Sequence, residues 1–289
     1  MTAPVFYAPF RDIRKIKKLG QETTADDPTL LMLVRQVSER IDAIMGIEFL
    51  PRKATYTYRY NGVGVLSLYD LALHQPLLEL TTLTNANGIA IASGYTLYPR
   101  NSTPYGFVRL SQAGATQWAY TIDGNDEISV VGVWGYRQHA SEAWVATNTT
   151  IDAAIVSTTA TTFTVANASA VDANGITPCL SAGMMIQIDD EWMMVMDVTT
   201  NTLTVVRGIR GSTAATHLIN APISVYEVEP TIQRATSVWT ALVYDRLGES
   251  TQVQLDTEGK ILVFPKDAPQ EVLDILCELD THTYRYLPT

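Results

Sequence analysis

The sequence predicts an α+β fold in which a helical host domain with an antiparallel β meander is interrupted by a small all-β insertion. Residues 151–228 contain no lysine and are rich in Ser, Thr, Ala and Val, with short strand-like runs between turns. Helical patterns lie on either side of this stretch, at 27–45 and 230–247. We therefore predict a host domain formed by residues 1–150 and 229–289, and an inserted β domain formed by residues 151–228.

The composition is that of a globular protein with a sizeable core. The chain has 289 residues, of which 46% are hydrophobic. It has no apolar run of about 18 residues and no signal-peptide pattern, so we expect neither a membrane span nor a leader. The two cysteines, Cys179 and Cys277, are too few for a disulfide framework, and we expect unpaired thiols.

The charge balance disfavours tight nonspecific binding to DNA. The formal net charge is -10, and affinity for the phosphate backbone comes from Lys and Arg displacing counterions. Within the first twenty residues, however, five basic residues stand against Asp12 alone. The basic segment is therefore local in an otherwise acidic chain.

The first long helix is expected at 27–45. Asp26 or Asp27 is suited to the N-cap and Pro28 to the first helical position. Gly46 is suited to the C-terminal stop. Apolar residues follow at helical spacing, namely Leu30, Leu31, Leu33, Val34, Val37, Ile41 and Ile44.

The next segment predicts an antiparallel meander packed on this helix. Strand patterns occur at 55–60, 63–68, 77–83 and 128–134. The pairs Asn61-Gly62 and Asn87-Gly88 and the residues at 123–126 are suited to turns. We expect a loop with one short strand at 95–104.

The insertion predicts five short strands, which suggest a small barrel or sandwich. They are expected at 161–165, 184–188, 192–197, 202–207 and 223–228. Asp189-Asp190 and Thr200-Asn201 are the expected hairpin turns. Beyond the insertion we expect a helix at 231–247, a hairpin at 251–264, a last helix at 269–279 capped by Asp267, and a tail at 280–289.

No cluster of residues predicts catalysis, a metal site or a cofactor. The histidines are far apart in sequence and are expected at the surface or at strand edges. Asp189, Asp190 and Glu191 could hold a cation or act as paired carboxylates, but a hairpin turn favours such residues anyway. The glycine-containing run at 208–213 lacks the Gly-Lys-Ser/Thr ending of a phosphate loop, and a tight turn is expected there.

Four aromatic residues lie close together in sequence, namely Trp118, Trp134, Tyr136 and Trp144. They could form a platform for stacking sugars or bases. Aromatic residues that flank strands more often belong to a core or a subunit interface, and we favour that interpretation.

Several segments together resemble the head-to-tail adaptor, or connector, proteins of long-tailed double-stranded DNA bacteriophages. The similarity covers most of the chain. It is carried by LVRQVSERID at 33–42, YPRNSTPY at 98–105, VGVWGY at 131–136, RAT at 234–236, LVYDRL at 242–247 and PKDAPQEV at 265–272. The insertion resembles a short β module of some phage structural proteins, through LTVVRGIRGSTAATH at 203–217.

This resemblance implies a non-enzymatic structural protein of the virion neck, assembled in the host cytoplasm. It implies a ring of identical subunits, dodecameric, that joins the portal of the capsid to the stopper or tail. Double-stranded DNA would pass through the ring transiently and without specificity, during packaging and ejection. The helical part would form the ring, and the C-terminal segment would dock on the portal.

Three groups of residues are the predicted contacts. Subunit interfaces are expected at Arg100, Trp134 and Tyr136. The basic segment could touch DNA, an acidic neighbouring ring or nothing, through Arg11, Arg14, Lys15, Lys17 and Lys18. The portal-binding tail consists of Thr281, His282, Thr283, Tyr284, Arg285, Tyr286, Leu287, Pro288 and Thr289.

Three alternatives remain open at this point. A stopper or tail-terminator ring is the nearest one, and the two long helical segments favour the adaptor over those mainly β-barrel proteins. A β-rich module that binds a glycan or a cell surface would use the tryptophan-rich region and the insertion. A hydrolase would be built on Asp189, Asp190 and Glu191.

Overall fold

The computed structural model describes residues 4–18, 27–58, 69–114, 116–119, 127–249 and 268–283. Within these ranges the chain forms four α-helices and two antiparallel sheets, of five and six strands. This confirms the predicted α+β class. The predicted hairpin at 251–264, with its neighbour Asp267, the strand at 63–68 and the turns at 61–62 and 123–126 lie outside the described residues.

Three of the four helices were predicted. The helices are α1 (Phe10–Lys17), α2 (Asp27–Met45), α3 (Pro230–Glu249) and α4 (Gln270–Thr283). Helix α2 has the predicted bounds, and α4 continues beyond the predicted end at Leu279. Helix α1 was not predicted, because its eight residues hold only one turn's worth of buried apolar side chains, Phe10 and Ile13, among basic ones.

The strands of the five-stranded sheet are β1 (Arg52–Tyr58), β2 (Asp70–Thr84), β3 (Tyr95–Tyr98), β4 (Tyr105–Leu110) and β5 (Ile128–Trp134). Their order is β1-β5-β2-β4-β3 with antiparallel pairing, so the predicted meander is wrong, because β5 lies between β1 and β2. Side chains alternate along β5, so that Ile128, Val130 and Trp134 are buried on one face. Strand β5 and the short strand β3 were predicted, whereas β4 was not.

The strands of the six-stranded sheet are β6 (Trp144–Thr150), β7 (Thr162–Thr164), β8 (Met185–Ile188), β9 (Glu191–Thr199), β10 (Thr202–Val206) and β11 (Pro222–Tyr226). Their order is β6-β11-β8-β9-β10-β7. An isolated bridge joins Ile151 to Val165, but the sheet is open, so of the two predicted architectures, barrel or sandwich, the barrel is wrong. The turns at Asp189-Asp190 and Thr200-Asn201 are confirmed, with Asp189 and Thr200 at φ 50° and 55°.

Strand β6 is the member of this sheet that the sequence did not predict. Its inward positions include Thr147 and Thr149, both buried, so the apolar alternation that marks a strand is weak. The Thr147 hydroxyl donates to the carbonyl of Ile223 at 2.7 Å. A partner strand far along the chain therefore makes this polar residue acceptable in the interior.

The described chain forms two compact units. One contains α1, α2, α3, most of α4 and the six-stranded sheet from Val145 onward. The other contains the five-stranded sheet together with Arg210–Ser212. The predicted boundaries instead group the helices with the meander, and that division into host and insertion stays a prediction.

Candidate interaction surfaces and a buried charge cluster

The predicted acidic triplet contributes to a buried charge cluster, which we define as Glu191, Arg207 and His217, and the exposed Asp189 lies at its edge. Arg207 binds Glu191 through two hydrogen bonds, from Nε to Oε1 at 2.8 Å and from Nη2 to Oε2 at 2.6 Å. His217 places Nε2 2.9 Å from the same Oε2 and Nδ1 2.7 Å from Oδ2 of Asp189. A bidentate contact between an arginine and a carboxylate, such as that of Arg207 with Glu191, is among the strongest that side chains make.

Backbone groups complete the hydrogen bonds of the cluster. The N–H groups of Gly208 and Ala215 donate to Glu191 at 3.0 and 2.9 Å. The Arg207 guanidinium also donates to the carbonyl of Ser157 at 2.9 Å and to that of Ala215. Glu191 thus accepts five hydrogen bonds, and Arg207 fastens the end of β10 to the segment before β7.

These contacts fix the ionisation of Glu191. Burial by itself raises the pKa of the carboxyl group, but the hydrogen bonds from Arg207, Ala215 and His217 outweigh burial and lower it. The result is an ionised carboxylate, enclosed by the chain, whose oxygens are already occupied. Glu191 is therefore not placed to take a proton from an external substrate, whereas Asp189 and Asp190 are exposed, and the hydrolase stays a hypothesis. No group of His, Cys, Asp and Glu suited to a metal ion occurs in the part of the chain that the structure describes.

The expectation that the histidines lie at the surface or at edges is wrong for His217. Its side chain is 1% exposed. The backbones of His217 and Ile155 exchange two hydrogen bonds of 2.9 Å, which hold the ring against the sheet. The sequence offered one indication of this site, since Glu191 begins an apolar strand and Arg207 immediately follows one.

The run at 208–213 is a tight turn, as predicted, with Gly208 at φ 59° and Gly211 at φ 86°. The Gly208 N–H is bound to Glu191, so it does not face outward as a phosphate-binding group would. A Cβ at Gly211 would lie 2.0 Å from the carbonyl oxygen of Lys53, so only glycine fits there.

Arg210, in the same run, belongs to the unit of the five-stranded sheet. Its Nη2 binds the Glu48 carboxylate at 2.5 Å and the carbonyl of Leu50 at 2.7 Å. Its Nε donates to the carbonyl of Pro51 at 3.2 Å. The guanidinium therefore holds the chain just before β1 in place.

Two of the three predicted interface residues are enclosed by their own chain. Trp134 donates from Nε1 to the carbonyl of Ala54 at 3.0 Å and packs edge-on against Tyr56, with ring centroids 4.6 Å apart. Tyr136 is buried against Phe49 at 5.6 Å. Packing inside the chain accounts for both side chains, and Arg100 is the one of the three that is exposed.

Arg100 belongs to an exposed arginine–tyrosine patch, which we define as Tyr98, Arg100, Phe107 and Arg109. The rings of Tyr98 and Phe107 are stacked, with centroids 4.7 Å apart and planes inclined by 3°. Arg100 and Arg109 lie over the Tyr98 ring at 5.4 and 5.2 Å. Arg109 also binds Asp70 through two hydrogen bonds, of 2.5 and 2.9 Å, which raise the pKa of its guanidinium.

The basic segment makes mostly internal contacts. Arg11 is buried and donates to the carbonyl of Pro178 at 2.7 Å. Arg14 pairs with Asp27, and Lys17 pairs with Asp245. Lys15 and Lys18 are exposed. A contact with DNA or with a neighbouring ring stays a prediction, and these two lysines are the members of the group that present their side chains to solvent.

The predicted portal-binding tail is described only in part. Thr281, His282 and Thr283 belong to helix α4. Tyr284, Arg285, Tyr286, Leu287, Pro288 and Thr289 lie outside the described residues. The two cysteines are unpaired, as predicted, with Cys179 buried and Cys277 exposed.

Comparison with known proteins identifies no family for this chain: no family model matches it, and no curated protein matches it significantly. Among the helices of the described ranges, none combines the length and the apolar character needed to cross a bilayer.

Proposed function

We propose that this protein is a structural, non-enzymatic component of a bacteriophage neck. It would form a ring that joins the portal to the stopper or tail and lets DNA pass. In this proposal the helices and the five-stranded sheet belong to the ring-forming host domain. Residues 151–228 would form the inserted β domain, which decorates the ring or contacts a neighbouring ring.

The observation that carries the proposal is a group of large apolar side chains left exposed by the isolated chain. Val156 is 83% exposed and Leu218 is 79% exposed. The bridge between Ile155 and His217 places these two residues on one face, as diagonal neighbours about 7–8 Å apart. Such side chains are typical of surfaces that a partner covers. On helix α2, Met32 and Ile44 are exposed as well.

The charge of the chain supports the same function. The chain has a net charge of -10, and an acidic wall would repel the phosphate backbone, so DNA could slide through without binding tightly. The ionisable side chains of the charge cluster are hydrogen-bonded to one another, which suits a structural protein. A contact repeated around a closed axis makes a ring.

The glycan-binding alternative receives little support from the tryptophans. Stacking on a sugar needs an exposed indole face. Four of the five tryptophans are buried, namely Trp118, Trp134, Trp192 and Trp239. Trp144 is half-buried and is the one that could contribute an accessible face.

The test is native mass spectrometry of the purified protein, alone and mixed with its portal protein. We expect a closed ring that the portal captures. A variant truncated after Asp280 should no longer be captured by the portal. A full-length variant with Tyr284, Tyr286 and Leu287 replaced by Ala keeps the chain length and tests the side chains of the tail. A ring that binds a tail protein but never the portal would favour a stopper or tail terminator. A monomer indifferent to the portal would overturn the proposal.

A further inference from the structure

Three large apolar side chains project together beside the bridge that joins Ile155 to His217. We define them as the apolar knob, which consists of Val156, Leu218 and Ile219. Their exposed fractions are 83%, 79% and 55%. Val156 and Leu218 each follow a residue of the bridge, and Ile219 comes next in the chain. Exposed apolar side chains grouped in this way are typical of a contact surface.

Backbone hydrogen bonds hold the knob in a fixed shape. The N–H group of Ala221 donates to the carbonyl of Leu218 at 3.2 Å, which closes a turn around Ile219 and Asn220. Asn220 donates to the carbonyl of Ile151 at 2.9 Å, and Ile151 donates to that of Ala221 at 3.1 Å. A partner would therefore meet a preformed surface, which reduces the entropy that binding costs.

The charges near the knob are acidic. Asp152 is exposed, and the side chain of Asp189 is 60% exposed. Residues 151–228 contain two basic residues, Arg207 and Arg210, whose side chains are 5% and 4% exposed and are bound to carboxylates. The knob thus has an apolar centre, an acidic border and no accessible cation, so it fits an apolar surface with a basic border and repels DNA.

The last turn of helix α1 has this complementary chemistry. Ile16 is 47% exposed, and Lys15 and Lys18 on either side of it are exposed as well. Neither lysine has a carboxylate partner among the residues that the structure describes. Arg14 and Lys17 of the same turn are already paired with aspartates. We call Lys15, Ile16 and Lys18 the lysine turn.

The two surfaces are connected to opposite ends of strand β8, within one compact unit. Helix α1 joins the sheet just before β8, where the N–H of Phe10 donates to the carbonyl of Ala182 at 3.0 Å. The knob lies just after β8, where Asp189 binds His217 at 2.7 Å. One copy thus presents its knob and its lysine turn at different places, as a contact repeated from copy to copy requires.

We propose that the apolar knob of one copy packs on the lysine turn of the next copy. Ile16 would meet the apolar side chains, and the two lysines would face the acidic border at Asp152 and Asp189. This proposal rests on the proposed function, because it names a contact that would close the ring. The contact would join the inserted domain of one copy to helix α1 of the next, so the insertion would take part in assembly.

The first experiment is chemical cross-linking between copies. Ile16→Cys and Leu218→Cys are combined in one chain, together with Cys277→Ser because Cys277 is exposed. A short bismaleimide should convert this protein into a ladder of covalent oligomers on a denaturing gel. The matched control pairs Ile16→Cys with Ile89→Cys, at an isoleucine that is 62% exposed in the other compact unit, and should stay monomeric.

The second experiment reads assembly by native mass spectrometry, at the concentration at which the wild type forms rings. Leu218→Asp should lose the rings, because a carboxylate would replace an apolar contact and add to the acidic border. Ile89→Asp makes the same chemical change at another exposed position and should still form rings. Circular dichroism of both variants checks that a loss of rings is not a loss of folding.

The outcomes separate this inference from the proposed function. Wild-type rings together with rings from Leu218→Asp would overturn the inference and leave the proposed function standing. A cross-link that forms only within single chains, at the size of a monomer, would also overturn the inference. A wild-type chain that forms no ring, alone or with its portal, would overturn both.

Discussion

The charge cluster and the arginine–tyrosine patch each contain an arginine that binds a carboxylate through two hydrogen bonds, yet their surroundings differ. The Arg207 side chain is 5% exposed and its partner Glu191 is fully buried, whereas Arg109 is 43% exposed. In the cluster every charge depends on its neighbours, since water cannot replace them. In the patch water reaches both guanidinium groups, although Arg109 remains bound to the buried Asp70. Burial decides which ion pair serves folding and which surface can serve assembly.

The largest expected effect comes from breaking the cluster at its centre. Glu191→Ala would leave the Arg207 guanidinium buried without its carboxylate, which costs about 3–5 kcal/mol in the free energy of unfolding. Urea unfolding followed by circular dichroism measures it. The matched control is Arg100→Ala in the patch, and equal stability losses in the two variants would contradict the comparison.

The same contrast applies to aromatic residues. Trp134 is buried and hydrogen-bonded to Ala54, so Trp134→Ala should cost about 3–5 kcal/mol. Tyr98 is half-buried in the patch, so Tyr98→Ala should lower the free energy of unfolding by well under half of that amount. Thermal melting of both variants gives the comparison. A Trp134→Ala protein of wild-type stability would show that this indole is not part of the core.

A pH series sharpens the role of Glu191. Its pKa is lowered in the folded chain, so its stabilisation is fully present above the ordinary glutamate pKa of about 4.3 and is lost as the pH falls through the lower folded value. The facing groups are Arg207, His217 and Asp189. Urea midpoints between about pH 6 and 3 should therefore fall more steeply for wild type than for Glu191→Gln, which cannot ionise. Parallel curves would contradict this assignment.

The smallest expected effects lie in the patch. Arg109→Ala should cost about 1–3 kcal/mol, because the Asp70 side chain, which is 7% exposed, would lose two hydrogen bonds. Arg100→Ala should stay within about 0.5 kcal/mol of wild type. Differential scanning calorimetry resolves the two. A loss above about 2 kcal/mol for Arg100→Ala would mean that the patch stabilises the fold and is not a free surface.

Local patterns were sufficient where the structure depends on neighbours in sequence. Helix α2 has the predicted bounds because Asp27, Pro28 and Gly46 mark its ends and the apolar spacing marks its buried face. Strand β5 and the turns at Asp189-Asp190 and Thr200-Asn201 followed from alternation and turn composition in the same way. Each depends on a window of at most about twenty residues.

Local patterns failed where a residue's environment comes from distant parts of the chain. Strand β6 was missed because Thr147 is buried through a bond to Ile223, 76 residues away. For Trp134 and Tyr136 the sequence left core and subunit interface open, since an aromatic residue at a strand end gives no indication of which neighbours enclose it. Both side chains are enclosed by their own chain, and a role at an interface stays a prediction. The predicted portal-binding residues at 284–289 lie outside the described part of the chain.

By itself the sequence determined the α+β class, most helix and strand positions and the acidic balance, because these follow from composition and from short-range periodicity. Only the tertiary structure decided which charged side chains are buried and bind one another inside the chain. Glu191, Arg207 and His217 are separated by up to 26 residues, and folding alone brings them within hydrogen-bonding distance. The free energy of a charge depends on what surrounds it, and those surroundings are created when the strands pair.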